Sequence, residues 1–185
     1  MYKIVSWTPE LDLTEFYAEA GRRGFVNNAS QKAMIDCFRN EREWCVWILY
    51  YNNKAVGAVG AHSIDEGYRI CARTCVFTDL VDSKYSTALR TKSVITEHQN
   101  PTAQFFIPAC IEWVNGRGDM YITTHPSDVG TQRLVHNTWG PLLSKTGCVT
   151  KAFEKDYRGH KQTFWKLNKD TFLEKLLKVE KWNVE

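Results

Sequence analysis

The stretch YITTHPSDVG, residues 121–130, closes an apolar alternation on two hydroxyls and an imidazole: Thr123, Thr124 and His125. An imidazole titrates near neutral pH, so it can take or give a proton under ordinary conditions. The chain then turns and restarts in a helical pattern from about Gly130. Strand ends that meet helix starts are common ligand sites in α/β proteins. A second polar cluster, EHQNPTAQ, fills residues 97–104 and also precedes a helical pattern. Glu97 and His98 in it are proton-transfer types. Either stretch also reads as an ordinary solvated turn, so the surrounding elements must decide.

Tyr2 to Trp7 alternates as a first strand. Leu13, Phe16, Tyr17 and Ala20 recur at helical spacing behind Asp12, a good cap. Ser30 caps a second helix to Arg39, with Met34, Ile35 and Phe38 on one face. WCVWILYY (44–51) and AVGAVGAHSI (55–64) flank an Asn-Asn-Lys turn and form the clearest hairpin. YRICARTCVF (68–77) gives another strand, on which Cys71 and Cys75 share one face by the period of two. LRTKSVI (89–95) is a further strand.

Asn100 and Pro101 suit a helix start, and Phe105, Phe106, Cys110, Ile111 and Trp113 its apolar face. Pro108 breaks a helical hydrogen bond, so the helix alternatively begins there. After strand 119–124 and helix 130–139, a hairpin spans Val149–Asp156 and Lys161–Leu167. Thr171 to Glu174 has capping-box spacing for a last helix, at about 171–182. Strands and helices interleave, so the expected fold class is α/β (α+β): one domain over 1–185, a mixed, mainly antiparallel sheet flanked by helices.

The 185 residues are 43% hydrophobic and 13% aromatic, with seven Trp, which is a globular composition. Net charge is +3, well short of the excess of a dedicated DNA-coating protein. Six Cys at 37, 45, 71, 75, 110 and 148 show no C-x-x-C and no zinc spacing, so no metal site is read. MYKIVSWTPE lacks signal-peptide character, and no apolar run reaches bilayer length. The expectation is a reducing cytoplasm with mostly buried thiols.

The hairpin CVWILYYNNKAVGAVGAHSI, followed by strand 119–124, helix 130–139 and the final hairpin, resembles the GNAT superfamily of acyl-CoA N-acyltransferases over residues 2–167. The resemblance implies an acyl-CoA whose pantetheine arm lies between two splayed strands. It implies a pyrophosphate on the amides at the next helix start, where the helix dipole favours an anion. The family marks that turn with Gln or Arg, two residues, Gly, one residue, then Gly or Ala; no such turn exists here. The substitute is 97–104, with Val94, Ile95, His98, Gln99, Asn100, Thr102, Ala103 and Gln104 as cofactor contacts and Arg90 and Lys92 nearby.

The splayed strand is 89–95 or 68–77, with 89–95 preferred because the helix follows it directly. His125 is then the base, with Thr124 beside the acceptor and Glu97 as a second proton carrier. His62 and His136 read as packing residues.

TKSVITEHQNPTAQFFIPACIEWV and ITTHPSDVGTQ also resemble the phage Mom proteins, GNAT-like enzymes that modify adenine in DNA. That resemblance makes nucleic acid an alternative partner. The basic turn YRGHKQ (157–162), with Arg158, His160 and Lys161, suits a phosphate. Otherwise the partner is a small-molecule or macromolecular amine. A non-catalytic binding module on the same fold is the third reading.

Overall fold

The structure, a computed structural model, describes residues 1–25, 29–77, 79–81, 101–124 and 147–177. Its first strand, β1 (Tyr2–Ser6), precedes two helices whose starts rest on single side chains. The cap position of α1 (Thr14–Arg22) falls on Leu13, which makes no side-chain cap bond; Asp12, the expected cap, stands one residue ahead of it, where its Oδ1 accepts from the Thr14 amide at 3.1 Å. Ser30 Oγ accepts from the Ala33 amide at 3.0 Å and caps α2 (Gln31–Asp36). Each bond satisfies a donor that has no partner inside its helix. α2 ends before the expected Arg39, because the Phe38 amide bonds back only three residues, to Ile35 O at 2.9 Å.

β2 (Trp44–Tyr51) and β3 (Lys54–Ile64) form the expected hairpin. Asn52 (φ 49) and Asn53 (φ 64) are both left-handed. A two-residue turn that matches strand twist demands that geometry, and Asn tolerates it well. β4 (Gly67–Val76) follows.

Pro101 is already helical at φ −56. A π-helical segment, Thr102–Phe106, leads into α3 (Ile107–Val114). The Ile107 amide reaches Thr102 O, five residues back, and this wider turn absorbs the N–H that Pro108 lacks. The helical backbone therefore runs through Pro108. Asn115, left-handed at φ 45, ends it.

β5 (Met120–Thr124), β6 (Val149–Tyr157), β7 (His160–Leu167) and α4 (Lys169–Leu177) complete the described elements. α4 begins ahead of the Thr171–Glu174 box. The Phe172 amide bonds Asn168 O at 2.9 Å, and Asn168 is tied to Gly147 O at 2.7 Å. Asn168 thus takes the cap position and Thr171 falls inside the first turn.

The described strands form one seven-stranded sheet in the order β1-β2-β3-β4-β5-β7-β6. Only β4 and β5 pair in parallel; the rest are antiparallel. The fold is mixed α+β with a mainly antiparallel sheet, as expected. On one face α1 and α2 bury Phe16, Tyr17, Met34 and Phe38 against Val46, Ile48 and Ala58. On the other, Phe106, Ile107, Cys110 and Val114 cover Leu49, Val59, Ile70 and Ile122. Burying each such side chain contributes about 1.5–3 kcal/mol. β6 forms one border of the sheet, with Lys151, Glu154 and Asp156 exposed. Strand 89–95, helix 130–139 and residues 178–182 of the expected last helix lie outside the described residues.

Candidate active site

β4 and β5 touch at one end only. Their ladder consists of Tyr68 opposite Met120 and Arg69 opposite Tyr121. Beyond it β4 runs on to Val76 against β3, and β5 runs on to Thr124 against β7. The two facing backbone edges have no ladder between them there. Because the strands are parallel, the gap widens toward both carboxyl ends, where α/β sheets bind ligands.

The cause is in β4. Ala58, Gly60 and His62 of β3 face Cys75, Ala72 and Arg69, so each two-residue step on β3 meets three residues on β4. Two bulges result, with Cys71 (φ 54) and Arg73 (φ 55) left-handed. Thr74 Oγ1 clasps the first by donating to Cys71 O at 2.9 Å. A bulge bends its strand and raises its twist, which turns β4 away from β5. Left-handed geometry costs a residue with a side chain about 1–2 kcal/mol, and such strain gathers at functional sites.

Of the two strands considered for the splayed partner, 68–77 is the one beside β5; the preferred 89–95 lies outside the described residues. The helix start packs against the parted half of β4: a Cβ at Gly57 would stand 3.3 Å from both Phe106 Cζ and Val76 Cγ2. Thr102, buried at 4% exposure, Ala103 and Gln104 all lie in the π-helical segment there. Thr124 ends β5 opposite Thr163. His125, Glu97, Val94, Ile95, His98, Gln99 and Asn100 lie outside the described residues, as do Arg90, Lys92 and His136.

On the α1/α2 face a polar chain crosses four strands. His62 is wholly buried. Its Nδ1 lies 2.9 Å from Ser63 O, which makes Nδ1 the donor, and Glu41 Oε2 lies 3.5 Å away. Nε2 then accepts from the Tyr157 hydroxyl at 3.1 Å. Burial, followed by the nearby Arg69 charge, pushes the imidazole down to about 4, so it is neutral at physiological pH. Arg69 donates from Nε to Thr123 Oγ1 at 3.0 Å and lies over the Tyr157 ring. Burial pulls its guanidinium down to about 10, and it stays cationic.

An open cavity of about 430 Å³ adjoins this chain. Its walls come from α2 and the residues after it (Asp36, Cys37, Asn40, Glu41), the β4 bulge (Arg73) and the β6–β7 turn (Arg158). Arg158 Nη2 donates to Glu41 Oε1 at 2.6 Å and to Cys37 O at 2.8 Å.

The sequence reading singled out Arg158 but passed over Glu41, Arg69, Arg73 and Tyr157, and took His62 for packing alone. A signal was present: YRICARTCVF puts two arginines into a strand with buried neighbours on both sides, and buried arginines need partners.

The same bulges separate Cys71 from Cys75. The extra residue between them reverses the alternation, so Cys71 packs with the α3 side and Cys75 with the α1/α2 side. All six thiols are free; Cys75, Cys110 and Cys148 are buried, the other three partly so. A hydrogen bond with Cys110, and then burial, hold the Cys71 thiol well above its ordinary range. The thiolate is the reactive form, so native Cys71 should alkylate at least about tenfold more slowly than in the unfolded chain at pH 8.5. Peptide mapping after timed iodoacetamide treatment measures this; equal rates would refute the Cys71–Cys110 contact.

No protein-family model and no curated protein sequence matches the chain. Solved structures do match. An aminoglycoside 6'-acetyltransferase type Ii aligns over 88% of this chain and 94% of its own, with a TM-score of 0.53 at 12% identity. A putative GNAT-family acetyltransferase from Desulfovibrio desulfuricans covers 90% and 98%, at 0.52 and 8%. An aminoglycoside 6'-N-acetyltransferase from Enterococcus faecium covers 88% and 94%, at 0.50 and 13%. The splayed pair in the middle of this sheet thus sits in a known architecture: the chain has the fold of the GNAT N-acyltransferases.

Proposed function

We propose that this chain is an acyl-CoA-dependent N-acyltransferase that passes an acyl group to an amine. The observation that carries the proposal is the parting of β4 and β5 beyond Arg69 and Tyr121. Two unladdered strand edges suit a thin chain with amide groups, which can hydrogen-bond to them as an added strand would. The amides that open the helix at Thr102, Ala103 and Gln104 stand at the positive end of its dipole and suit a pyrophosphate. Pro101 contributes no amide there, so side chains carry more of the phosphate contact than in a glycine-rich turn.

An acyl-CoA supplies a thioester carbonyl that an amine can attack. The protein's part is to place the amine, take its proton and keep the acyl carbon reachable. The bulged backbone of β4 holds one wall of the slot open. His125 serves as the base, with Thr124 beside the acceptor and Glu97 as a second proton carrier. The remaining contacts read from the sequence, Val94, Ile95, His98, Gln99 and Asn100, stay with this proposal. No helix among the described residues is long and apolar enough to cross a membrane.

Acetyl-CoA at about a hundredfold over its Kd should stabilise the protein by about 2.7 kcal/mol. For a chain of this size that raises the melting temperature by about 5–11 °C. A thermal scan with acetyl-CoA, and with free pantetheine as control, reads the shift. An unchanged melting temperature at millimolar acetyl-CoA would point to a catalytically silent module instead.

A further inference from the structure

The ladder between β4 and β5 ends at Arg69 and Tyr121, yet one bond crosses between the strands beyond it. Arg69 Nε donates to Thr123 Oγ1 at 3.0 Å. Thr123 stands two residues past Tyr121 on β5, where the backbone edges have already parted. The two side chains meet because they share a face. Side chains alternate along a strand, and Tyr68, Ile70 and Ile122 pack on the α3 side, which leaves Arg69 and Thr123 to the opposite one.

Both partners are held from behind. Thr123 lies opposite Phe164 of β7 and is 7% exposed. Arg69 lies opposite His62 of β3, and its guanidinium carbon sits 5.3 Å from the centre of the Tyr157 ring. That ring is itself anchored, because the Tyr157 hydroxyl donates to His62 Nε2 at 3.1 Å. A cation over an aromatic face is attracted to it, so the arm has little freedom to swing. A guanidinium also presents its N–H groups in a rigid plane, which sets the direction of the reach to Thr123 as well as its length.

A backbone rung holds neighbouring strands about 4.7–4.9 Å apart. The Arg69–Thr123 bond is made where the β4–β5 ladder has stopped, so it ties β5 to β4 without closing the gap. Phe105 and Phe106, at the helix start, belong to the α3 side, so the tie and the helix start lie on opposite faces of the sheet.

We infer that Arg69 is a positioning residue of the acyl slot: through Thr123 it sets how far β4 and β5 part and keeps the slot at the width that an acyl-pantetheine arm requires. This rests on the acyltransferase reading above. Without the tie β5 samples other separations, and the apparent affinity for the arm falls by the fraction of molecules whose gap is competent.

Thr123→Val keeps the branched shape that suits a strand and removes the acceptor oxygen. Thr123→Ser keeps the oxygen. Arg69→Met removes the donor from the other side. Calorimetric titration uses acetyl-CoA and 3'-phospho-ADP, the half of CoA that lacks the pantetheine arm. Loss of one charge-assisted hydrogen bond predicts acetyl-CoA binding about tenfold or more weaker in Thr123→Val and Arg69→Met. Binding of 3'-phospho-ADP should be unchanged in all variants, and Thr123→Ser should match the parent for both ligands. A general loosening of the fold would weaken both ligands alike, and that result overturns the inference. So does unchanged acetyl-CoA affinity in Thr123→Val and Arg69→Met.

Hydrogen exchange of the ligand-free proteins separates this inference from the reading beneath it. Amides of Met120–Thr124 should exchange about tenfold faster in Thr123→Val than in the parent or Thr123→Ser, with those of the β2–β3 hairpin unchanged. That outcome supports the tie even if the parent binds no acetyl-CoA and the acyltransferase reading fails. Equal exchange in β5 overturns the tie whether or not acetyl-CoA binds.

Discussion

Phe38→Ala is expected to lower the unfolding free energy by about 3–5 kcal/mol, the usual cost of removing a buried ring. Phe38 is wholly buried. Its ring stacks on Trp44 at 6.1 Å and lies 5.8 Å from the His62 ring. Below it is Gly60, where an added Cβ would stand 2.2 Å from Phe38 Cζ. The ring occupies the space that a side chain at 60 would take, and this holds the end of α2 down on the sheet. Gly60→Ala alone therefore overpacks the site and costs about 1–3 kcal/mol. In the double variant the new methyl enters the hole that the ring leaves. Its cost should fall below the sum of the two by about 0.5–3 kcal/mol. Urea unfolding of the four proteins gives the cycle, provided the slope with denaturant is constant. Strict additivity would show that ring and glycine do not share one space.

Mild acid should weaken the fold through His62. His62 is near 4 in the folded protein because burial disfavours its charge, and near 6.5 when unfolded. Between those values the unfolded chain holds a proton that the folded chain does not, so stability falls as the pH drops. The contribution is complete above about pH 6.5 and is lost on the way to pH 4, at roughly 1.4 kcal/mol per pH unit and roughly 3 kcal/mol in all. The carboxylates that Arg and Lys partners hold low, Glu19, Glu66 and Asp79 among them, act only below about 4.5. The span from pH 6.5 to 5 therefore lies above the range of these carboxylates and within that of His62. His62→Gln keeps polar atoms in place and should flatten the slope there by about one proton. A slope identical to the parent's would mean that another group takes up the proton.

Much of the fold is legible in the residue pattern because its signals are local. Asn52-Asn53 fixes the β2–β3 hairpin, Ser30 the start of α2 and Asp12, to within one residue, the start of α1. The interleaving of elements gives the mixed sheet. The candidate site is less legible because it depends on irregularity. Cys71 and Arg73 take left-handed backbone without being glycine. Nothing in YRICARTCVF announces this, and a strand read by period two puts Cys71 and Cys75 on one face. Only the register against β3 shows the extra residues. The polar chain from Glu41 through His62 and Tyr157 joins residues up to 116 positions apart in sequence, and no spacing rule links them. Arg69 and Arg73 are the exception, as charges in a strand otherwise fit for burial. Thr102, Ala103 and Gln104 do fall at a helix start, as their neighbours Asn100 and Pro101 suggest.

The border strand β6 has a consequence for the molecule in company. A sheet's rim is a template on which another copy can dock strand to strand, and an uncharged straight rim invites endless stacking. Lys151, Glu154 and Asp156 would each have to bring its charge and hydration into such a seam. Concentrated solutions of this protein should therefore resist fibril growth from that side.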